Sequence, residues 1–160
     1  MIYARMESPV GQLLLVRDEA GLRSVRFAQS RRAATPREDW REDPAGLAEQ
    51  VRQLRAYFRG ELQTFALELA PEGTEFQLRV WRALREIPYG ETISYRELAR
   101  RVGNEKACRA VGLANGCNPL PIIVPCHRVI GSNGSLTGFG GGLQNKQRLL
   151  ALESRQMQLL

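Results

Sequence analysis

A cysteine and a histidine stand side by side late in this 160-residue chain, at Cys126 and His127. No other histidine occurs in the sequence. A cysteine becomes a nucleophile when a base or a positive charge promotes loss of the thiol proton, and a histidine can be that base. The pair therefore predicts nucleophilic chemistry at Cys126. The alternative is a buried structural cysteine beside a hydrogen-bonded core histidine.

The position of the pair in the chain limits how the two side chains can meet. Adjacent side chains of an extended strand point to opposite faces, so an extended segment would keep the thiol and the imidazole apart. Either the chain turns sharply after Pro125, or a water molecule links the two groups. A third group must also orient the histidine. Glu153, at the end of a helical pattern over residues 146–153, is the candidate.

The segments around the pair are rich in turn-forming residues. Residues 115–119 read NGCNP and lead into an apolar run, residues 120–124, which predicts a strand. Residues 137–142 read TGFGGG, without the GKS or GKT ending of a phosphate-binding loop. Such a loop offers bare backbone to a flat ligand at close range, and Phe139 could stack on that ligand. The alternative is an ordinary surface loop.

Composition narrows the class of protein. No apolar run reaches the length of a membrane span, and the N-terminus lacks the apolar region of a signal peptide, which predicts a cytoplasmic protein. The three cysteines, at positions 108, 117 and 126, contain no CxxC pair. Their number and spacing predict neither a disulfide framework nor a metal site.

The net charge of +6 is concentrated in the second half of the chain. Residues 71–160 carry 12 Lys and Arg against 7 Asp and Glu, whereas residues 1–70 carry 11 against 10. Nearly all the cations are arginines, which suit contacts with phosphate. The pattern indicates either a nucleic-acid partner or a solvated arginine-rich surface.

The first part of the chain predicts a β-rich unit over residues 1–70. Short strands at residues 2–7, 12–16 and 22–28 are separated by turn residues, which indicates an antiparallel meander. A polar loop over residues 29–44, a helix over 44–58 and a possible strand over 64–69 follow. Residues 70–73 predict a linker into a second unit, residues 71–160.

The second unit reads as mostly helical. Thr74 can cap a first helix, residues 92–102 predict a second and residues 107–115 a third. A four-residue turn joins the last two helices, which indicates a helix-turn-helix or an ordinary helical hairpin. The third helix is built of small residues around one charge, Arg109. It could approach a backbone or a shallow groove closely, or pack inside the protein with the arginine reaching solvent.

The motif PCHRV at residues 125–129, with RAVG at 109–112 upstream, resembles the O6-alkylguanine-DNA alkyltransferases, in the bacterial constitutive form. Residues 93–95, 118–119, 141–143 and 149–153 fit the same pattern in the same order, so the resemblance is dense over residues 74–155. It implies an α+β fold: an N-terminal ribonuclease-H-like antiparallel sheet domain, and a C-terminal helical domain of winged-helix, helix-turn-helix type.

The resemblance implies direct DNA repair without a cofactor. One alkyl group would pass irreversibly from the O6 of a modified guanine, with O4-alkylthymine as a further candidate substrate, to Cys126. Matching positions imply that His127 deprotonates Cys126 through a water molecule, that Glu153 holds the imidazole, and that Tyr95 donates a proton or hydrogen bond to the leaving guanine. The base-pocket residues would be Asn118, which braces the turn, Val129, whose carbonyl meets the guanine amine, and Phe139 and Gly140, in the loop that closes over the base.

The same resemblance implies how DNA is held. An O6 atom inside a duplex cannot be reached, so the base must be extruded. Arg109 would fill the gap, on a helix that also presents Ala110 and Gly112 to the minor groove. Because lesions occur anywhere, binding should depend on phosphates and little on sequence, with Arg96, Arg100 and Arg101 as candidates. The partner is then double-stranded DNA, bound by a monomer, with cooperativity left open.

Three departures and several alternatives accompany the resemblance. Some relatives bind zinc near the N-terminus through cysteines and histidines, and this chain has none there. Phe139 stands where relatives commonly have tyrosine, and Gly140 where some have serine, so hydroxyl contacts are missing there. The alternatives are a lesion-binding protein without transfer, a regulatory DNA-binding protein and a thiol hydrolase using Cys126, His127 and Glu153. The presence of Cys126 argues against a protein that binds lesions without transfer. The chain length argues against the regulatory protein. The stability of a thioether argues against the hydrolase, which must release its bound group.

Overall fold

The computed structural model describes residues 1–29 and 35–159, which divide into two compact units, Met1–Pro71 and Glu72–Leu160. The first unit is built on an antiparallel meander: β1 (Ile2–Met6), β2 (Leu13–Asp18) and β3 (Gly21–Phe27). All four residues from Leu13 to Val16 are buried, because both faces of the central strand β2 are covered. Leu14 and Val16 pack with Trp40 on one face.

Two details of the first unit differ from the sequence prediction. A short strand, β4 (Arg41–Glu42), pairs parallel to β1 within the predicted loop over residues 29–44, of which residues 30–34 lie outside the described part. The predicted strand over 64–69 is wrong, since it makes only an isolated bridge between Leu22 and Leu69. The Gln53 side chain accepts from Ala66 N at 2.9 Å and donates to Ala66 O at 3.0 Å. These two hydrogen bonds take the place of those that a neighbouring strand would make.

The predicted helix over residues 44–58 is present as a 3₁₀ turn, Ala45–Leu47, followed by α1 (Ala48–Phe58). In the second unit α2 (Glu75–Arg85) has Thr74 as its N-cap, as predicted. The Thr74 hydroxyl accepts from the Gln77 backbone at 3.1 Å, and the Gln77 side chain accepts from the Thr74 backbone at 3.0 Å. This capping box fixes where the helix starts.

The helix predicted over 92–102 is shorter in the structure. Residues Ile93–Ser94 form a two-residue strand, β5, which pairs in parallel with β6 (Val129–Ile130). Helix α3 (Tyr95–Arg101) follows, with Ser94 as its N-cap, and a turn leads into α4 (Cys108–Gly116). Trp81 of α2 donates from its indole nitrogen to Ala114 O at 2.9 Å, which ties α4 into the core. The parallel pair places the start of α3 beside the segment that carries the cysteine.

The last helix, α5 (Leu143–Leu159), extends beyond the predicted residues 146–153 at both ends. The strand predicted over residues 120–124 is wrong, because that apolar run forms a turn. Within the described residues, no helix combines the length and the apolarity needed to cross a membrane.

Candidate active site

Cys126 opens a single 3₁₀ turn, Cys126–Arg128, immediately after a reversal of the chain at Pro125. Pro125 has φ −79° and ψ 65°, and Cys126 N donates to Val124 O at 2.8 Å, which together describe an inverse γ-turn. Arg128 N then donates to Pro125 O at 3.0 Å. The structure thus has the sharp turn that was one of the two predicted ways to bring thiol and imidazole together.

The turn before the cysteine is braced by an asparagine side chain. Asn118 Nδ2 donates to Val124 O at 2.8 Å, and its Oδ1 accepts from Leu120 N at 3.0 Å. These bonds satisfy backbone groups that a strand would have paired, which is why the apolar run folds as a turn. Ile122 is buried with φ 77°, an unfavourable conformation for a β-branched residue. Strain is therefore stored four residues before the thiol.

His127 and Glu153 form a buried pair. Nε2 of the imidazole lies 2.6 Å from Oε2 of the carboxylate, and both side chains are 1% exposed or less. The sequence had indicated Glu153 as a candidate at the end of a helical pattern and, through the family resemblance, as the group that holds the imidazole. Since an ionised carboxylate can only accept, Nε2 carries the proton and Nδ1 is left as the basic atom. Among the described residues, Nδ1 has no hydrogen-bond partner.

Arg128 holds the same carboxylate from the other side. Its Nε lies 2.8 Å from Glu153 Oε1 and its Nη2 lies 3.1 Å from Oε2, while Nη1 donates to Ile87 O at 2.7 Å. Burial alone would raise the pKa of Glu153, but the hydrogen bonds of His127 and Arg128 and the charge of Arg128 outweigh it and lower the pKa to about 2. Glu153 is therefore ionised at neutral pH. The sequence reasoning did not identify this role of Arg128.

The two reacting groups are both neutral in the folded protein. Burial lowers the pKa of His127 below its usual value, against the opposing effect of Glu153, so the imidazole is a free base at neutral pH. Burial also raises the pKa of the Cys126 thiol to about 11, although Asn118 and Lys146 act to lower it. A thiol held in this way reacts only if a base removes its proton in the same step.

Lys146 belongs to this site, and the sequence reasoning missed it. Its side chain is fully buried, and Nζ donates to Val129 O at 2.6 Å and to Thr137 O at 2.8 Å. Burial lowers its pKa, while the nearby Cys126 acts to raise it. A signal was available in the sequence. Lys146 precedes Glu153 by seven residues, and this spacing puts both on one face of α5.

Tyr95 lies between two glycines. An ideal Cβ on Gly112 of α4 would lie 3.8 Å from Tyr95 Cδ1, and one on Gly138 would lie 3.5 Å from Tyr95 Oη. The Tyr95 hydroxyl donates to Thr137 O at 3.0 Å. The phenol thus lies beside Gly112 of α4 and bonds to the glycine-rich loop. Phe139, in that loop, is mostly buried, whereas Gly140 is exposed and an ideal Cβ there would lie 3.9 Å from Gly116 O.

Helix α4 presents Arg109 and Ala110 to solvent and buries Val111, Ala114 and Asn115. The three arginines predicted to contact phosphate all lie on α3 and are exposed: Arg96, Arg100 and Arg101. The last two share one carboxylate, Glu97, with contacts of 2.6 to 3.1 Å. For a phosphate to bind, Arg100 and Arg101 would have to leave Glu97 or contact the carboxylate and the phosphate at the same time.

The shifted pKa of Glu153 predicts a dependence of stability on pH. A carboxyl with a pKa of 4.5 when unfolded and about 2 when folded stabilises the fold above pH 4.5, and this contribution is lost as the pH falls through about 2. The full contribution is on the order of 3 kcal/mol. Urea unfolding from pH 6 to pH 2 should show a steeper fall for the natural chain than for Glu153→Gln.

Glu97→Gln is the matched control for that measurement. The pKa of Glu97 is also lowered to about 2 by the hydrogen bonds of Arg100 and Arg101, but this carboxylate is solvated and its ion pairs are screened. The control should therefore follow the natural chain closely. An equally steep fall in Glu153→Gln would show that Glu153 does not carry the acid sensitivity.

Comparison with known proteins connects this geometry to a family. Residues 75–155 match the model of the 6-O-methylguanine DNA methyltransferase DNA binding domain, and residues 1–71 match the ribonuclease-like domain of the same proteins. Together the two matches cover nearly the whole chain.

Individual relatives are similar over their full length. The methylated-DNA–protein-cysteine methyltransferase of Methanosarcina acetivorans is 56% identical over 153 residues, which are 96% of this chain and 98% of the relative. The protein of the same name from Mycolicibacterium paratuberculosis is 54% identical over 96% of this chain and 92% of its own.

A solved structure gives the same picture. The crystal structure of Mycobacterium tuberculosis OGT in complex with DNA superposes with a TM-score of 0.91 at 50% identity, covering 98% of this chain and 94% of that one. The domain descriptions and this superposition confirm the predicted fold class.

Proposed function

This chain belongs to the 6-O-methylguanine DNA methyltransferase family, as its motifs had predicted, and from that premise we propose that it repairs DNA by moving a methyl group from O6-methylguanine to its own Cys126. One observation carries the assignment of the acceptor. The buried imidazole next to Cys126 has Nε2 committed to the ionised Glu153, which leaves a basic Nδ1 without a partner among the described residues.

The reaction is a displacement at the methyl carbon. The bond between carbon and guanine O6 breaks as the bond between carbon and Cys126 Sγ forms. The thiol proton passes to His127 Nδ1, directly or through water, and a proton is delivered to the departing base, so the products are a thioether and unmodified guanine. Since a thioether does not hydrolyse readily, each chain reacts once.

Glu153 and Arg128 act on the acceptor indirectly. The carboxylate fixes the tautomer and orientation of His127 and stabilises the imidazolium that forms as the thiol loses its proton. Arg128 keeps that carboxylate ionised in a buried position. Both are positioning residues, since neither contacts the methyl group.

Tyr95 is the group that serves the leaving base. Its hydroxyl now donates to Thr137 O, and it turns to the guanine when the base enters. Thr137 O also accepts from Lys146, so this carbonyl keeps a hydrogen bond when the phenol leaves it. Val129 O likewise accepts from Lys146 and has a second lone pair for the guanine amine. Phe139 and Gly140 form the loop over the base, and Asn118 supports the turn beneath it.

DNA is bound through α4, and the affinity depends little on the base sequence. Arg109 projects from an otherwise small-residue helix and occupies the space of the extruded base, while Ala110 and Gly112 allow the helix to approach the minor groove. Arg96, Arg100 and Arg101 contact phosphates. One protein copy suffices for the reaction, because every group of the relay comes from the same unit.

The test is to weigh the protein after the reaction. The natural chain is incubated with a duplex containing one O6-methylguanine, and intact mass and peptide mapping follow. We expect one methyl group per chain, on Cys126, with repaired DNA in equal amount and no second turnover. The duplex with unmodified guanine is the control. Repeated turnover would indicate a hydrolase, and binding without any gain in mass would indicate a lesion-binding protein.

A further inference from the structure

Helix α4 carries an exposed leucine that packing does not explain. Leu113 is 69% exposed, against 45 to 49% for Met1, Leu143 and Met157, the other large apolar side chains that are exposed in the described residues. A side chain so exposed contributes little to the core, because most of its apolar area stays in water. It adds apolar surface to a helix face whose other exposed side chains are small or charged.

Leu113 lies on α4 close to residues that are proposed to meet the extruded base. It follows Arg109 by four residues, so the two side chains are neighbours on one face, opposite the buried Val111 and Ala114. The adjacent Gly112 borders the Tyr95 ring, and one turn later Gly116 O lies against Gly140 of the loop. Leu113 is thus flanked along α4 by Gly112 and Gly116, which lie near Tyr95 and Gly140, two residues proposed to meet the extruded base.

We propose that Leu113 is a second wedge, which enters the minor groove beside Arg109 and packs against the base step next to the extruded nucleotide. This rests on the proposed function. Proteins that bend DNA at the minor groove often insert leucine or another apolar side chain between bases, where it replaces lost stacking. Arg109 supplies the complementary charge one turn away, and the small residues around both let the helix approach closely. The occupant is duplex DNA, since a single strand has no paired stack to hold open.

The experiment compares methyl transfer from duplex and from single-stranded oligonucleotides of the same sequence with one O6-methylguanine. Leu113→Ala should lower the ratio of the two rate constants about tenfold, because only the duplex must be held open. Leu113→Met, which keeps an apolar side chain of similar size, should stay within about twofold of the natural ratio. Met157→Ala removes another exposed apolar side chain, on α5, and should leave the ratio unchanged.

A second readout follows base extrusion directly. A 2-aminopurine placed next to the lesion should become less fluorescent in the complex with Leu113→Ala than with the natural chain, because its stack closes again. If the natural chain transfers methyl groups and Leu113→Ala leaves both the ratio and the fluorescence unchanged, the wedge is refuted while the proposed function stands. If the natural chain transfers none, the proposed function itself fails.

Discussion

Replacing Cys126 with serine should abolish methyl transfer completely while leaving the affinity for duplex DNA nearly unchanged. Serine is close in size to cysteine, and the side chain is only 4% exposed, so the turn should keep its shape. A hydroxyl is far harder to ionise than a thiol, and an oxygen nucleophile at this position would need a much stronger base than a neutral imidazole. The groups proposed to hold DNA are side chains of α3 and α4, none of which this substitution replaces.

The measurement combines intact mass after incubation with methylated duplex and a binding isotherm on unmodified duplex at one stated salt concentration. Cys117→Ser is a matched control. It makes the same substitution at an exposed cysteine of the same unit and should transfer as the natural chain does. Should Cys126→Ser lose DNA affinity as well, Cys126 would be a structural residue, and the acceptor would have to be sought elsewhere.

The sequence was most informative where chemistry depends on neighbouring residues. Cys126, His127 and the turn at Pro125 could be read together, because the motif is contiguous and its residue types have few other uses. Glu153 was a candidate at the end of a helical pattern, the resemblance assigned it to the imidazole, and it lies 2.6 Å from that ring.

The features that escaped prediction depend on side chains that replace backbone partners. Residues 120–124 look like a strand, but Asn118 satisfies the backbone there and the run folds as a turn. Likewise, the Gln53 amide bonds the backbone of Ala66 in the segment that looked like a strand. No periodic pattern shows where a side chain will take over a backbone hydrogen bond, so both predictions failed for the same reason.

Buried charges escaped prediction for a related reason. A lysine within a helix normally indicates a solvated face, yet Lys146 is fully buried because two carbonyls from other segments accept from it. Arg128 belongs to the PCHRV motif, but its partner Glu153 lies 25 residues further along the chain. Burial of such groups is tolerated only when the tertiary structure supplies partners, and those partners are distant in sequence.

Replacing His127 with glutamine should slow transfer by about a hundredfold to ten-thousandfold at pH 7, the usual contribution of a positioned general base. The glutamine amide can still donate to Glu153, so the buried carboxylate keeps one of its partners. What the variant loses is the basic Nδ1. With the thiol pKa near 11, only about one thiol in ten thousand is ionised at pH 7, so little nucleophile remains without the base.

The pH profile distinguishes loss of a base from loss of structure. In His127→Gln the rate constant should rise about tenfold per pH unit from pH 7 to pH 10, because the thiolate fraction rises by that factor below its pKa of about 11. In the natural chain the imidazole is already a free base at neutral pH, since burial lowers its pKa. Its rate should therefore change little near pH 7 and fall at lower pH, as His127 becomes protonated. A variant that is slow but has the natural profile would show that His127 supports the fold and that another group takes the thiol proton.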